Sequence, residues 1–149
     1  MVDPADCPVL VVEDDEGDQL LIARAFAKAR LINPVIFVSD GESAIAYLSR
    51  QGRWSAPDSA PRPGLVLLDL KLPGCSGFEV LEWLRAHPEL KRTPVVVLTS
   101  SSENPDVRRA YDLHANSYLK KPVDTDSLLQ MAKTLGFYWF VINQPPPPA

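Results

Sequence analysis

Short apolar runs punctuate the chain at near-regular intervals: Val9–Val12, Val35–Val38, Leu65–Leu68 and Val95–Leu98, with a weaker one at Ser117–Lys120. Runs of strand length that are apolar at every position, not every second one, suit strands buried on both faces of a parallel sheet. Between them apolar residues recur at helical spacing. Ile22, Phe26 and Ala29 mark a first helix, and Ala44, Ile45 and Leu48 a short second one. Phe78, Leu81 and Leu84 point inward from a third, with Glu79, Glu82 and Arg85 outward; Val107, Ala110, Tyr111 and Leu113 belong to a fourth. A last helix starts near Asp124 or Asp126 and carries Leu128, Met131, Ala132, Leu135, Trp139 and Ile142. Gly136 costs about 1 kcal/mol in a helix interior, so that helix kinks or ends there. Gln51–Gly64 is too rich in Pro, Gly and Ser to form an element and reads as a long surface loop, with Trp54 to pin it down.

The resulting alternation, five strands and five helices, predicts an α/β doubly wound parallel sheet. Right-handed crossovers leave few strand orders, and 2-1-3-4-5, the flavodoxin-like one, is common for five strands. The 149 residues fit one domain, expected over 1–143, with a proline-rich tail at 144–149.

Composition adds exclusions. Net charge is −4 and Lys and Arg are nowhere concentrated, so nucleic acid is not an expected partner. The start lacks a basic segment before an apolar run, and no apolar run approaches the ~20 residues that span a bilayer. The expected location is cytoplasmic. Cys7 precedes the first strand and Cys75 follows the third, at opposite ends of a parallel sheet, which predicts free thiols.

The chemistry gathers where strands end. The first strand runs into Glu13-Asp14-Asp15-Glu16-Gly17-Asp18, five acids in six residues. Acids cap helices favourably, but capping needs one or two; crowded carboxylates repel, and a divalent cation such as Mg²⁺ relieves that. The third strand ends on Asp69, before a turn at Pro73-Gly74 and a helix cap at Ser76. An aspartate that merely starts a turn is the other reading. The fourth strand ends in Thr99-Ser100-Ser101-Ser102, where one hydroxyl also suits an N-cap, and the fifth in Lys121-Pro122, a pair that says little alone and tolerates a cis bond. His87 and His114 read as surface residues at helix C-termini. In the 2-1-3-4-5 order, strands one and three are neighbours, so Glu13 and Asp14 meet Asp69 while Thr99 and Lys121 arrive from strands four and five.

With these residues in view the chain resembles a response-regulator receiver domain of bacterial two-component signalling, from about Pro8 to Lys133. Glu13-Asp14 resembles the family's acidic pair, Asp69 its phospho-acceptor, Thr99 its switch hydroxyl, Tyr118 its switch aromatic, and Lys121-Pro122 its lysine and proline. The resemblance implies that Asp69 takes a phosphoryl group from a histidine kinase in the presence of Mg²⁺. Asp14, Asp69 and the carbonyl of Lys71 would hold the metal directly, Glu13 through water. Thr99 and Tyr118 would couple the modification to the surface of helix four, strand five and helix five. The chain is similar, more narrowly, to single-domain regulators paired with bacterial phytochromes: it shares their long loop after the second helix, the stretch Leu113–Leu119, and an aromatic C-terminal extension.

Two other readings compete. A haloacid-dehalogenase-type aspartyl-phosphate phosphatase wants a second aspartate two residues after the nucleophile, where this chain has Lys71. A receiver-fold scaffold that is never phosphorylated needs no intact set of acids and lysine. Finally, Phe137, Tyr138, Trp139, Phe140 and Val141 cannot all face one sheet, and an apolar patch of that size predicts a homodimer centred on them.

Overall fold

A computed structural model describes residues 7–31, 33–56, 59–100 and 104–121, together with the isolated positions 126, 130 and 133. Five parallel strands, β1 (Val9–Val12), β2 (Val35–Val38), β3 (Leu65–Leu68), β4 (Val95–Thr99) and β5 (Ser117–Lys120), form one sheet in the order β2-β1-β3-β4-β5. Four helices are described: α1 (Glu16–Lys28), α2 (Gly41–Ser49), α3 (Gly77–Ala86) and α4 (Asn104–Asp112).

The unbroken apolar runs are explained by two cores, one on each face. Successive side chains of a strand point to opposite faces. Leu10, Val12, Val66, Leu68, Val95 and Val97 pack with Ala44, Leu48, Phe78, Leu81 and Leu84 of α2 and α3. Val9, Val11, Leu65, Leu67, Val96 and Leu98 pack with Ile22, Ala25 and Phe26 of α1. Val9 and Val12 of β1 align with Val35 and Val38 of β2 and with Leu65 and Leu68 of β3, so these three strands end level. β4 runs one residue further than the apolar run suggested, because Thr99 pairs in register with Lys120.

Side chains start the first three helices. Asp15 caps α1 by accepting the Asp18 N–H at 2.9 Å, Asp40 caps α2 by accepting the Ser43 N–H at 2.6 Å, and Ser76 caps α3 by accepting the Glu79 N–H at 3.2 Å. Each satisfies a donor that the first helical turn leaves without an intrahelical partner.

The long connection after α2 is anchored as expected and also contains a 3-10 turn at Gly52–Trp54. Trp54 meets Tyr47 edge-on with ring centroids 4.9 Å apart, and the Tyr47 hydroxyl donates to the Pro61 carbonyl at 2.8 Å. Tyr111 of α4 is 48% exposed. One side chain departs from the helical pattern. Arg85 does not simply face outward: half-buried, it donates to the carbonyls of Leu113 (2.9 Å), Lys91 (2.8 Å), Thr93 (2.8 Å) and His114 (2.7 Å), which ties the end of α3 to the end of α4. A helical wheel cannot anticipate this, since the long stem of an arginine lets its head reach partners off its own face.

Positions 126, 130 and 133 are helical. The rest of the expected fifth helix, Pro122, the aromatic segment Phe137–Ile142 and the proline tail lie outside the described residues. Both cysteines are free. Among the described residues, no helix is long and apolar enough to cross a membrane.

Candidate functional site

The register of the central strands builds the site. The Asp69 N–H donates to the Val12 carbonyl at 3.0 Å and the Glu13 N–H to the Val38 carbonyl at 3.0 Å, so the first residues past β1 and β3 emerge side by side. From β4 and β5, the Lys121 N–H donates to the Thr99 carbonyl at 2.7 Å, which locks the lysine to the end of the neighbouring strand. Glu13, Asp69 and Thr99 are buried, whereas Asp14 is exposed. Carboxyl ends of strands are where open α/β sheets bind ligands.

One ammonium holds three acids. Lys121 Nζ bonds to Glu13 Oε1, to Asp18 Oδ2 at 2.9 Å and to Asp69 Oδ2 at 3.3 Å. Burial alone would lower the Lys121 pKa, but the bonds to Glu13 and Asp18 and the charges of Asp69 and Glu13 outweigh it, and the group is held above its ordinary value. Glu13 moves the other way for a carboxylate. Burial, opposed by the Lys121 bond and reinforced by Asp69 beside it, pushes its pKa up to about 8. Three acids on one cation leave excess negative charge, which a proton on Glu13 relieves.

A divalent metal would relieve it as well, and the donors fit one. Oxygens of Glu13, Asp14 and Asp69 all lie within 4.8 Å of one another. Glu13 Oε2 is buried with no hydrogen-bond partner among the described residues. Hard carboxylate oxygens are the ligands that Mg²⁺, Mn²⁺ and Ca²⁺ prefer. Lys71, two residues past Asp69, donates its N–H to Asp69 Oδ1 at 3.2 Å, which folds the loop after β3 back over the carboxylate.

The β3–α3 loop is closely fitted. At Gly77 a Cβ would stand 2.2 Å from the Asp69 carbonyl oxygen and 2.6 Å from Leu70 Cα, so only glycine lets α3 start this near the strand end. Gly74 adopts φ +68° beside the carboxylate of Glu42, and that carboxylate accepts the Cys75 N–H at 2.9 Å. Burial, then Glu79, Glu42 and Asp40, push the Cys75 thiol up to about 11.

Glu13, Asp14, Asp69 and Lys121, all expected from sequence, are thus brought together, and Thr99 stands at the neighbouring strand end. Tyr118, half-buried, pairs in register with Val97 and packs on the α2–α3 side of the sheet. The proposed interface residues 137–141 lie outside the described residues. Three residues were not singled out beforehand: Asp18, which contacts Lys121; Gln19, whose side-chain amide donates to the Glu13 carbonyl; and Glu42. A signal for Asp18 existed, because Asp15 caps α1 and a carboxylate in the first turn that follows lies over the strand ends.

Comparison with known proteins agrees with this geometry. Residues 9–133 match the family model for the response regulator receiver domain. The response regulator Rcp1 of Synechocystis is 39% identical over 131 residues, 88% of this chain and 87% of that protein. An Mn²⁺-bound structure of Rcp1 superimposes with a TM-score of 0.84 at 37% identity, covering 95% of this chain and 99% of that one. The phosphorylated cyanobacterial phytochrome response regulator RcpA superimposes with a TM-score of 0.85 at 37% identity and the same coverage. The bacteriophytochrome response regulator RtBRR does so with a TM-score of 0.78 at 43% identity, covering 95% of this chain and 85% of that one. With a matching model across most of its length and relatives of this similarity, the chain belongs to the response regulator receiver domain family.

Proposed function

We propose that Asp69 accepts a phosphoryl group from a histidine kinase of the bacteriophytochrome type, and that Mg²⁺ is the metal that serves the transfer. The observation that carries the reading is the sharing of the Lys121 ammonium among Glu13, Asp18 and Asp69, with Asp69 Oδ2 3.3 Å from Nζ. The kinase type is supported by the phytochrome-associated relatives RcpA and RtBRR.

In the transfer, a carboxylate oxygen of Asp69 forms a bond to the phosphorus of a phosphohistidine. The P–N bond breaks with its electron pair left on the imidazole nitrogen, which takes up a proton from water. Such transfers depend on positioning and charge stabilisation more than on covalent help from the protein. Lys121, its pKa raised, stays an ammonium throughout and offsets the charge of the phosphoryl group, about −1.5 to −2 at neutral pH. The Thr99 hydroxyl donates a hydrogen bond to a phosphoryl oxygen. Held by Asp14, Asp69 and the Lys71 carbonyl, with Glu13 acting through water, Mg²⁺ would supply further charge neutralisation to the phosphoryl oxygens. Drawing Thr99 inward leaves room for Tyr118, which passes the change to the surface of α4, β5 and the helix that follows.

The test is labelling by acetyl phosphate or by an autophosphorylated bacteriophytochrome kinase. Asp69→Asn should take no acid-labile label while keeping its circular dichroism; label that persists on this variant would refute the assignment. A kinase of that type transferring no faster than an unrelated one would remove the phytochrome link. The homodimer read from Phe137, Tyr138, Trp139, Phe140 and Val141 belongs to the same proposal. Truncation after Leu135 should give a monomer by analytical ultracentrifugation that still accepts phosphate.

A further inference from the structure

The three partners of the Lys121 ammonium differ in what they lose by letting go. An ammonium has three N–H donors, and Glu13, Asp18 and Asp69 engage all three. The side chains of Glu13 and Asp69 are 2% and 9% exposed, so an oxygen left behind by the lysine would be stranded away from water. The Asp18 side chain is 37% exposed and can exchange the ammonium for solvent. Yet a phosphoryl group built on Asp69 needs one donor of this ammonium for its new oxygens, so one existing bond must yield. Asp18 is the partner that yields at least cost, because exposed ion pairs contribute little and water replaces them readily.

We infer that Asp18 is a positioning residue for phosphoryl transfer: it holds the third donor of Lys121 in the resting protein and surrenders it to the phosphoryl group. The inference rests on the reading of Asp69 as acceptor. It goes beyond charge in the acidic run, since Glu16 stands in the same first helical turn and is exposed, and the ammonium's three donors all go to other acids. Without Asp18 the lysine keeps its bonds to Glu13 and Asp69, and so stays in place with one donor already free.

The experiment measures the rate of Asp69 phosphorylation by acetyl phosphate and Mg²⁺ in the full chain and in its Asp18→Asn, Asp18→Ala and Glu16→Gln variants. Asp18→Ala should be phosphorylated about fivefold faster, the scale of one partly exposed ion pair; Asp18→Asn, whose amide oxygen can still accept from the ammonium, should gain less, and Glu16→Gln should stay within about twofold of the wild type. In parallel, the ¹H–¹⁵N signal of the Lys121 ammonium in the unphosphorylated, metal-free protein should move in both Asp18 variants and stay unmoved in Glu16→Gln. A general relief of negative charge would accelerate all three variants alike and overturn the inference, as would an Asp18→Ala variant no faster than Glu16→Gln. If the wild type takes no label at Asp69, the proposed function fails, and an unmoved Lys121 signal in the Asp18 variants then overturns the positioning role independently.

Discussion

Glu42 and Cys75 are joined across 33 residues of sequence by a hydrogen bond of 2.9 Å from the Cys75 N–H to a Glu42 carboxylate oxygen. The bond stitches the first turn of α2 to the loop after β3, the loop that carries Lys71 beside Asp69. Gly41 presses on the same loop, since a Cβ there would stand 2.4 Å from the Cys75 carbonyl oxygen. Glu42→Ala should therefore loosen the loop and weaken divalent-metal affinity by about tenfold, the lower end for loss of a group that supports metal ligands. Glu42→Gln, whose amide oxygen can still accept the Cys75 N–H, should lose less. Calorimetric titration with Mg²⁺ checks both, and equal affinities in all three proteins would show that the stitch does not serve the site.

Gly77→Ala tests the start of α3. Its Cβ would meet backbone atoms of Asp69 and Leu70 that cannot turn aside, so a loss of about 2–4 kcal/mol is expected in urea unfolding. Gly52 is the control. It has φ +59° but nothing within 4 Å of a Cβ, so Gly52→Ala should cost only the conformational penalty of about 1–2 kcal/mol.

The pH dependence follows from Glu13. Its pKa lies near 4.5 in the unfolded chain and about 8 in the folded one, so between these values the folded state binds more protons. Stability of the metal-free protein should fall as pH rises through that window, by at most about 1.4 kcal/mol per pH unit from this group. It should be fully regained below pH 4.5 as far as Glu13 is concerned. Urea midpoints at intervals from pH 5 to 8 measure the slope, and Glu13→Gln should flatten it. A slope of the opposite sign that disappears in Glu13→Gln would contradict the raised pKa.

Cys75 should be a slow nucleophile. With its thiol pushed up to about 11 by burial and by Glu79, Glu42 and Asp40, alkylation by iodoacetamide at pH 7.5 should run about tenfold slower than for a small thiol, after allowing for the greater reactivity of a more basic thiolate. In urea the rate should rise to that of the small thiol.

Much of this arrangement was legible in the chain because its signals are local. Four residues apolar at every position announced the buried strands β1, β3 and β4, though in β2, at the sheet edge, Val35, Ile36 and Phe37 are only half-buried. The polar residues that end the buried strands, Glu13, Asp69 and Thr99, could be named before their neighbours were known. Strand order then did the rest, since 2-1-3-4-5 puts the ends of β1 and β3 together. The acidic run placed Asp18 near the strand ends, but its bond to Lys121 was not legible, nor were the contacts of Glu42 and Arg85. Each acts through a long-range contact, to residue 121, residue 75 or residues 113 and 114, and no periodicity encodes a partner that far along the chain. Helical spacing puts Tyr111 on α4 with Ala110 and Val107, but only packing decides which of them is covered.

The four carbonyls gathered by Arg85 make α4 a lever with one end clamped. The helix is nine residues long, about 13 Å at 1.5 Å per residue, and its clamped end is the one remote from Asp69. Its other end, at Asn104, follows the strand that delivers Thr99. A displacement that enters there would break the clamp if it slid the rod along its axis, and a swing about the clamped end would spare it. One ångström at Asn104 is a rotation of about 4°, greatest beside the strand end that bears Thr99 and vanishing at Leu113. In the proposed function the clamp would thereby set the fulcrum of the response, and a protein that reads α4 would feel an angle and not a translation.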